Sequence, residues 1–324
     1  MVSLDSALPR IAVIGAGTFV RTQYIPRLRE IADFMILRAI WSRTEESAKA
    51  AAELARDFAP NVEVKWGDLG LQDIIEDSSI DGVAVVLAGQ VQVDISLKML
   101  QAKKHVLQAI AEAETAVSCY QSVPNLVLSK PIWAVAENYR FEPAFVESRK
   151  LIDGIGDMMN IQVIVEGSMN SSNPYFSSSW RRNFSGGFIL DMGVHFIAGL
   201  RMLVGCEITT VSAISRHVDI YWRVDGTKGA VQVERSTDNG RHGYSVLFYS
   251  EDGECRKTFY PFSGVNEELK AFIHDISQAN KKDGVVHEAE PRSSYVEGAR
   301  DVAVLEAMLE SGAKQGSSIQ VKRF

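Results

Sequence analysis

From Arg10 to about Val135, short apolar runs alternate with stretches rich in helix formers, the pattern of parallel strands joined by crossover helices. The expected strands are Ile11–Ile14, Met35–Trp41, Val62–Trp66, Gly82–Leu87, His105–Leu107 and Ile132–Val135. Thr44–Phe58 reads as a helix, with Ser42 and Glu45 in the spacing of a capping box. A second helix, Val91–Gln101, feeds the strand at His105 by a right-handed crossover. After Phe141 the period changes. A helix near Pro143–Ile152 precedes Asn160–Glu166, where Ile161, Val163 and Val165 alternate with polar neighbours as in a strand with one face buried. The same alternation recurs at Thr210–Arg216, Ala230–Arg235, Tyr244–Tyr249 and Arg256–Tyr260, with turn signals at Asn239-Gly240 and Asp252-Gly253. Ser294 and Glu297 again have capping-box spacing, ahead of an apolar stripe of Val296, Ala299, Leu305 and Met308 that ends at Gly312. The fold class expected is α/β: an N-terminal Rossmann doubly wound parallel sheet over residues 1–137, then an α+β domain with an open, largely antiparallel mixed sheet and a closing helix over 138–324.

A chain of 324 residues with 46% hydrophobic and 23% charged positions can bury two ordinary cores. Its net charge of -7 argues against nucleic acid as a partner, because phosphate-backbone binding needs clustered cations. Cys119, Cys206 and Cys255 lack paired spacing, and His217, His242, His274 and His287 lack ligand spacing, so no disulfide framework and no metal are expected. Together with an N-terminus that lacks a long apolar run, this suggests a cytoplasmic protein that neither spans nor is targeted to a membrane. One uncovered sheet face suggests a homodimer.

Ile11-Ala-Val-Ile-Gly15-Ala-Gly17-Thr-Phe-Val20 is a strand running into a glycine turn and then a helix, the arrangement that cradles a dinucleotide pyrophosphate. The third small position of that fingerprint is Val20, whose branched Cβ would hold the helix slightly off the strand. After the second strand stands Trp41-Ser42-Arg43-Thr44, without the carboxylate that bonds the ribose of NAD. Ser42 and Arg43 suit a 2′-phosphate, so the expected cofactor is NADP rather than NAD; the competing reading is a helix cap and a solvated charge.

The glycine turn, Ala102-Lys-Lys-His-Val-Leu-Gln108, Ala136-Glu-Asn-Tyr-Arg-Phe141, and Gly186-Gly187 with Asp191-Met-Gly-Val-His195 resemble the Gfo/Idh/MocA family of NAD(P)-dependent oxidoreductases over almost the whole length. The resemblance implies cofactor contacts from Gly15, Gly17, Thr18, Phe19, Ser42, Arg43, Ala88 and Gln108. It also implies hydride transfer to or from a sugar-like or other small hydroxy/carbonyl compound. The family's Glu-Lys-Pro motif is absent: Gln108 is followed by Ala109-Ile110-Ala111, and Lys130-Pro131 precedes a later strand.

Asp191 and His195, four residues apart, would share one face of a helix starting near Asp191, with His195 as the acid/base and Asp191 orienting its ring. The competing reading has Asp191 as a cap and His195 as a packed core residue. Tyr139, Arg140, Trp180 and Arg181 are the expected substrate neighbours. Two other functions compete with the oxidoreductase. One is a catalytically silent NADP-binding sensor or partner protein, favoured by Ala109–Ala111; the other is a redox-assisted glycoside hydrolase.

Overall fold

The computed structural model describes residues 8–108, 131–164, 187–213, 221–281 and 288–324; the side chains of 89, 90 and 187–191 lie outside the described set. The chain forms two compact units, one of Met1–Ala136 with Val265–Ala299, the other of Glu137–Gly264 with Arg300–Phe324.

The first unit is built on strands β1 (Arg10–Ile14), β2 (Ile36–Ser42), β3 (Glu63–Trp66), β4 (Gly82–Val85), β5 (His105–Gln108) and β6 (Trp133–Val135). They form one parallel sheet in the order β3-β2-β1-β4-β5-β6, the doubly wound topology expected. Helices α1 (Ile25–Glu30), α2 (Glu45–Ala55), α3 (Gly67–Glu76) and α4 (Gly89–Gln101) are its connections. Ahead of α1 the helix starts at Thr18 and is π-wound over Val20–Tyr24. Val20 is fully buried in the core, so the bulkier third position is absorbed by packing. The cap of α2 differs from the expected Ser42–Glu45 box. Ser42 is still the last residue of β2, and Thr44 accepts the Ser47 amide at 3.4 Å.

In the second unit α5 (Pro143–Ile152) starts on its proline, as expected. It is followed by β7 (Met158–Ile164), α6 (Gly187–Val204), β8 (Thr210–Val211), β9 (Tyr221–Gly226), β10 (Gly229–Asp238), β11 (Arg241–Ser250) and β12 (Cys255–Pro261). The sheet order is β12-β11-β10-β9-β7, and every pairing is antiparallel. Asn239 and Gly240, both at positive φ (48° and 76°), make the tight β10–β11 turn that their dipeptide signals. Trp222, Val224, Val231, Val233, Tyr244 and Val246 form one buried face packed on Phe145, Ile152, Phe196 and Leu203.

Several expectations are corrected. The expected buried face of β7 is weak: Met159 is 74% exposed and Ile161 36%, while Val163 packs partly buried against the core of the second unit. Val165 and Glu166 lie outside the described residues. Of Thr210–Arg216, only Thr210–Val211 is strand, and residues from 214 lie outside the described set. β9 is a strand that the pattern reading passed over. α6 begins by Gly187, a turn before the expected start.

The chain then forms α7 (Gly264–Ala279), α8 (Tyr295–Ala313) and β13 (Ile319–Gln320), which pairs with β8. The amide of Glu297 donates to the Ser294 hydroxyl at 3.2 Å, half of the capping box read from sequence. A single cut at 137/138 does not describe the domains, because α7 belongs to the first unit. Its Leu269, Phe272, Ile273 and Ile276 are buried in the same core as Ile11, Val13, Ala84 and Leu107. Burial of such side chains is worth about 1.5–3 kcal/mol each, an upper estimate that fixes where α7 belongs.

Candidate active site

In the first unit, the strand ends gather the residues expected to meet a nucleotide. The Gly15 amide donates to the Trp41 carbonyl at 2.9 Å and the Val86 amide to the Ile14 carbonyl at 2.8 Å, tying the end of β1 to both neighbours. This is where the strand order reverses, the usual crevice for a ligand in a doubly wound sheet. Gly15 has φ +131°, and a Cβ there would lie 2.2 Å from the Val86 carbonyl oxygen. Only glycine fits. A Cβ on Gly17 would meet nothing within 4 Å, so the backbone there borders open space. Thr18 and Phe19 open the following helix, Arg21 returns its amide to the Gly17 carbonyl at 3.1 Å, and Phe19 stays 37% exposed. Ser42 is half-buried at the end of β2 and Arg43 is exposed beside it. Ala88 precedes α4, and Gln108 is fully buried at the end of β5. The open backbone at Gly17, amides at a helix start and a cation past β2 fit a phosphate-bearing dinucleotide.

In the second unit, His195 lies on α6 and Glu137 just before the short 3-10 turn Asn138–Phe141. The imidazole Nδ1 sits 2.8 Å from Glu137 Oε1 and 2.9 Å from Oε2. The carboxylate is buried while the imidazole is 24% exposed. Burial alone would raise the Glu137 pKa. The charge and hydrogen bond of His195, then Arg140 and the Tyr139 amide, outweigh it and hold the group below its ordinary value. A buried, ionised Glu137 favours the charged imidazole and fixes the ring through Nδ1. Tyr139 stacks on the same imidazole: its ring lies 5.3 Å away, centroid to centroid, with planes 10° apart.

The sequence does not single out Glu137, although it lies in the Ala136–Phe141 stretch that also holds Tyr139 and Arg140. The two differ from the expectation. Arg140 is buried, 4% exposed, and ion-paired to Asp301 rather than presented to a substrate. Tyr139, also 4% exposed, supports the imidazole and offers its hydroxyl to Arg235 at 2.9 Å. Asp301 also accepts from Arg201 at 2.7 Å, and Arg201 reaches Glu207 at 2.8 Å. Burial, with Glu137's negative charge, pushes Asp301 up to about 6 against the pull of the guanidiniums. Asp191 lies within α6 rather than at its start, which removes the reason for it to offset a helix end, and its side chain is outside the described residues. Trp180 and Arg181 lie outside them too. Among the described residues no group of His, Cys, Asp and Glu is arranged to hold a metal ion, and no helix is long and apolar enough to cross a membrane.

Two family descriptions match the chain: the Gfo/Idh/MocA oxidoreductase family with an NAD-binding Rossmann fold at residues 9–109, and the Gfo/Idh/MocA C-terminal domain at residues 145–254. The dehydrogenase FPY6 of Fusarium mangiferae is 32% identical over 364 residues, covering 96% of this chain and 99% of the relative. That alignment is longer than the 324-residue chain, so the relative has positions without a counterpart here. Among solved structures, an aldose-aldose oxidoreductase from Caulobacter crescentus complexed with glycerol superposes with a TM-score of 0.76 at 18% identity, covering 97% of this chain and 100% of that one. A levoglucosan dehydrogenase in complex with NADH and levoglucosan superposes with a TM-score of 0.72 at 19% identity, covering 98% and 100%. At these identities the likenesses establish the fold.

Proposed function

The chain belongs to the Gfo/Idh/MocA family of oxidoreductases, and on that premise we propose that it moves hydride between the nicotinamide of NADP and the carbinol or carbonyl carbon of a sugar-like substrate, with Glu137 and His195 handling the proton. The observation that carries this reading is the contact of His195 Nδ1 with both carboxylate oxygens of Glu137, at 2.8 and 2.9 Å. With Nδ1 so engaged, proton exchange with the substrate oxygen runs through Nε2. In the oxidising direction, the hydroxyl proton goes to Nε2 as the C–H bond gives up hydride; in the reducing direction His195 returns the proton to the oxygen. The cofactor, once bound, supplies or accepts that hydride at nicotinamide C4. Glu137 does not take the proton. It holds the ring and stabilises the imidazolium as it forms. The names of the sugar-active structural neighbours support a hydroxylated substrate.

Gly15, Gly17, Thr18 and Phe19 would hold the pyrophosphate, and Ala88 and Gln108 would border the nicotinamide half. Ser42 and the exposed Arg43 would meet the 2′-phosphate, which is the support for NADP over NAD. A second reading, a coenzyme-binding protein without turnover, is favoured by Ala109-Ile110-Ala111 standing where the family has Glu-Lys-Pro. Loss of a single preorganised donor at a developing alkoxide costs about two to three orders of magnitude, which still leaves measurable chemistry. The test is NADPH consumption against a panel of sugar-derived carbonyl compounds by the wild type and by His195→Gln. Turnover that His195→Gln lowers at least about 100-fold supports the oxidoreductase; tight NADPH binding without turnover supports the second reading. NADPH and NADH titrations of Arg43→Asp check the cofactor. Unchanged affinities for both would end the NADP assignment.

A further inference from the structure

Arg235 stands on β10 in register with Tyr244 of β11. It is exposed, yet it is anchored: an amino nitrogen donates to the Tyr139 hydroxyl at 2.9 Å, and the Tyr244 phenol is its cross-strand neighbour. Because Tyr139 lies flat on the His195 imidazole, one phenol ring separates this guanidinium from the proton-transfer residue. Among the described residues, the arginines Arg140, Arg201 and Arg300 are ion-paired: Arg140 and Arg201 share Asp301, and Arg201 and Arg300 reach Glu207. Among the described residues no carboxylate stands within ion-pair distance of Arg235, whose hydrogen-bond partner is the neutral Tyr139 phenol. Glu142, whose charge helps raise the Tyr244 pKa, accepts the Ser263 amide at 3.1 Å.

A guanidinium has five N–H donors in a planar fork. The Tyr139 oxygen occupies one of those donors and leaves the charge uncompensated. It also fixes the direction of the fork, which removes much of the entropy cost that a free surface arginine pays on binding. We propose that Arg235 is the anion-recognition residue of the substrate site, so that the substrate carries a carboxylate or phosphate on the same molecule as the hydroxyl or carbonyl that reacts at His195. This rests on the reading of His195 as the proton-transfer residue. It narrows the sugar-like class to sugar acids and sugar phosphates.

The test is calorimetric titration of the full-length protein, saturated with NADPH so that the nucleotide's own phosphate sites are filled, with glucose, gluconate and glucose 6-phosphate. Glucose 6-phosphate separates a phosphate preference from the carboxylate preference that gluconate reports. At least one anion should bind the wild type about tenfold or more tightly than glucose. Arg235→Gln should lose about 10- to 100-fold in affinity for that anion, the range for a charge-assisted hydrogen bond. Tyr139→Phe, which removes one anchor but keeps the charge and the stacked ring, should lose less, and it covers the case in which Arg235→Gln fails to fold. Equal affinity of the wild type for all three compounds, including no binding of any, overturns the proposal, as does anion binding that neither variant weakens. Failure of the His195 reading would look different: anion binding would persist and depend on Arg235 while His195→Gln turned over as fast as the wild type.

Discussion

Replacing Glu137 with glutamine removes one negative charge while keeping nearly the same shape, so its effect isolates the charge. The carboxylate is 2% exposed and touches Nδ1 of His195 through both oxygens, at 2.8 and 2.9 Å, while Oε1 also accepts the Tyr139 amide at 3.2 Å. A hydrogen bond to a charged partner contributes about 1.5–3 kcal/mol, and two unit charges about 4 Å apart interact by about 4 kcal/mol at an effective dielectric of about 20. Losing about 3–4 kcal/mol of imidazolium stabilisation lowers kcat by about 100- to 1000-fold. Two further readouts separate this from a general loss of structure. The pH limb of kcat that requires imidazolium should move to lower pH in Glu137→Gln, because a charged ring with no carboxylate beside it gives up its proton more readily. Glu137 has a depressed pKa in the folded protein, so its ionised form contributes stability above the ordinary carboxylate value and loses it as pH falls. In urea titrations the deficit of Glu137→Gln against wild type should therefore be full near neutrality and shrink in acid. A variant with wild-type kcat and an unmoved pH profile would refute the pairing as a catalytic device.

Gly15→Ala places a methyl group 2.2 Å from the Val86 carbonyl oxygen at a φ of +131°. It should cost more than about 2 kcal/mol in urea unfolding and abolish NADPH binding by fluorescence titration; a wild-type Kd would contradict the glycine-turn geometry. His105 is buried and its pKa is lowered to about 4, mainly by burial, with Nδ1 accepting the Ile132 amide at 3.0 Å. Its neutral form therefore contributes stability above the unfolded value near 6.5 that is lost as pH falls toward 4, up to about 3 kcal/mol. Between pH 7 and 4 in urea, wild type should weaken by about 3 kcal/mol more than His105→Gln does.

The first sheet is legible because most of its parallel strands, β1, β2 and β4 above all, are apolar runs bounded by turns, and β1 passes directly into Gly15 and Gly17. The closing helix was legible from the Ser294–Glu297 spacing. What escaped the reading depends on pairing across distance. A helical stripe of Leu269, Phe272, Ile273 and Ile276 says that α7 buries a face, and nothing local says that the face lies against the N-terminal sheet. Thr44 took the cap of α2 from Ser42 because β2 keeps its pairing with β3 through Ser42. At the site, four residues of helix put Asp191 and His195 on one face, which makes Asp191 the carboxylate the sequence pairs with His195, but its side chain lies outside the described residues. Among the described residues Glu137, 58 positions earlier, meets the ring, and no periodicity signals a contact at that separation. Its local signal is an acid directly after the apolar run Trp133–Ala136, a position where a buried charge survives only if paired.

The central claim is hydride transfer assisted by Glu137 and His195, and the most direct measurement follows a label. Wild-type protein is given NADPH deuterated at nicotinamide C4 together with an anionic sugar-derived carbonyl compound, and the product is analysed by mass spectrometry. Deuterium on the new carbinol carbon, formed by wild type and reduced about 100-fold or more in Glu137→Gln and His195→Gln, is the predicted result. Bound NADPH with no label in any product, or label transfer indifferent to both substitutions, would contradict the account.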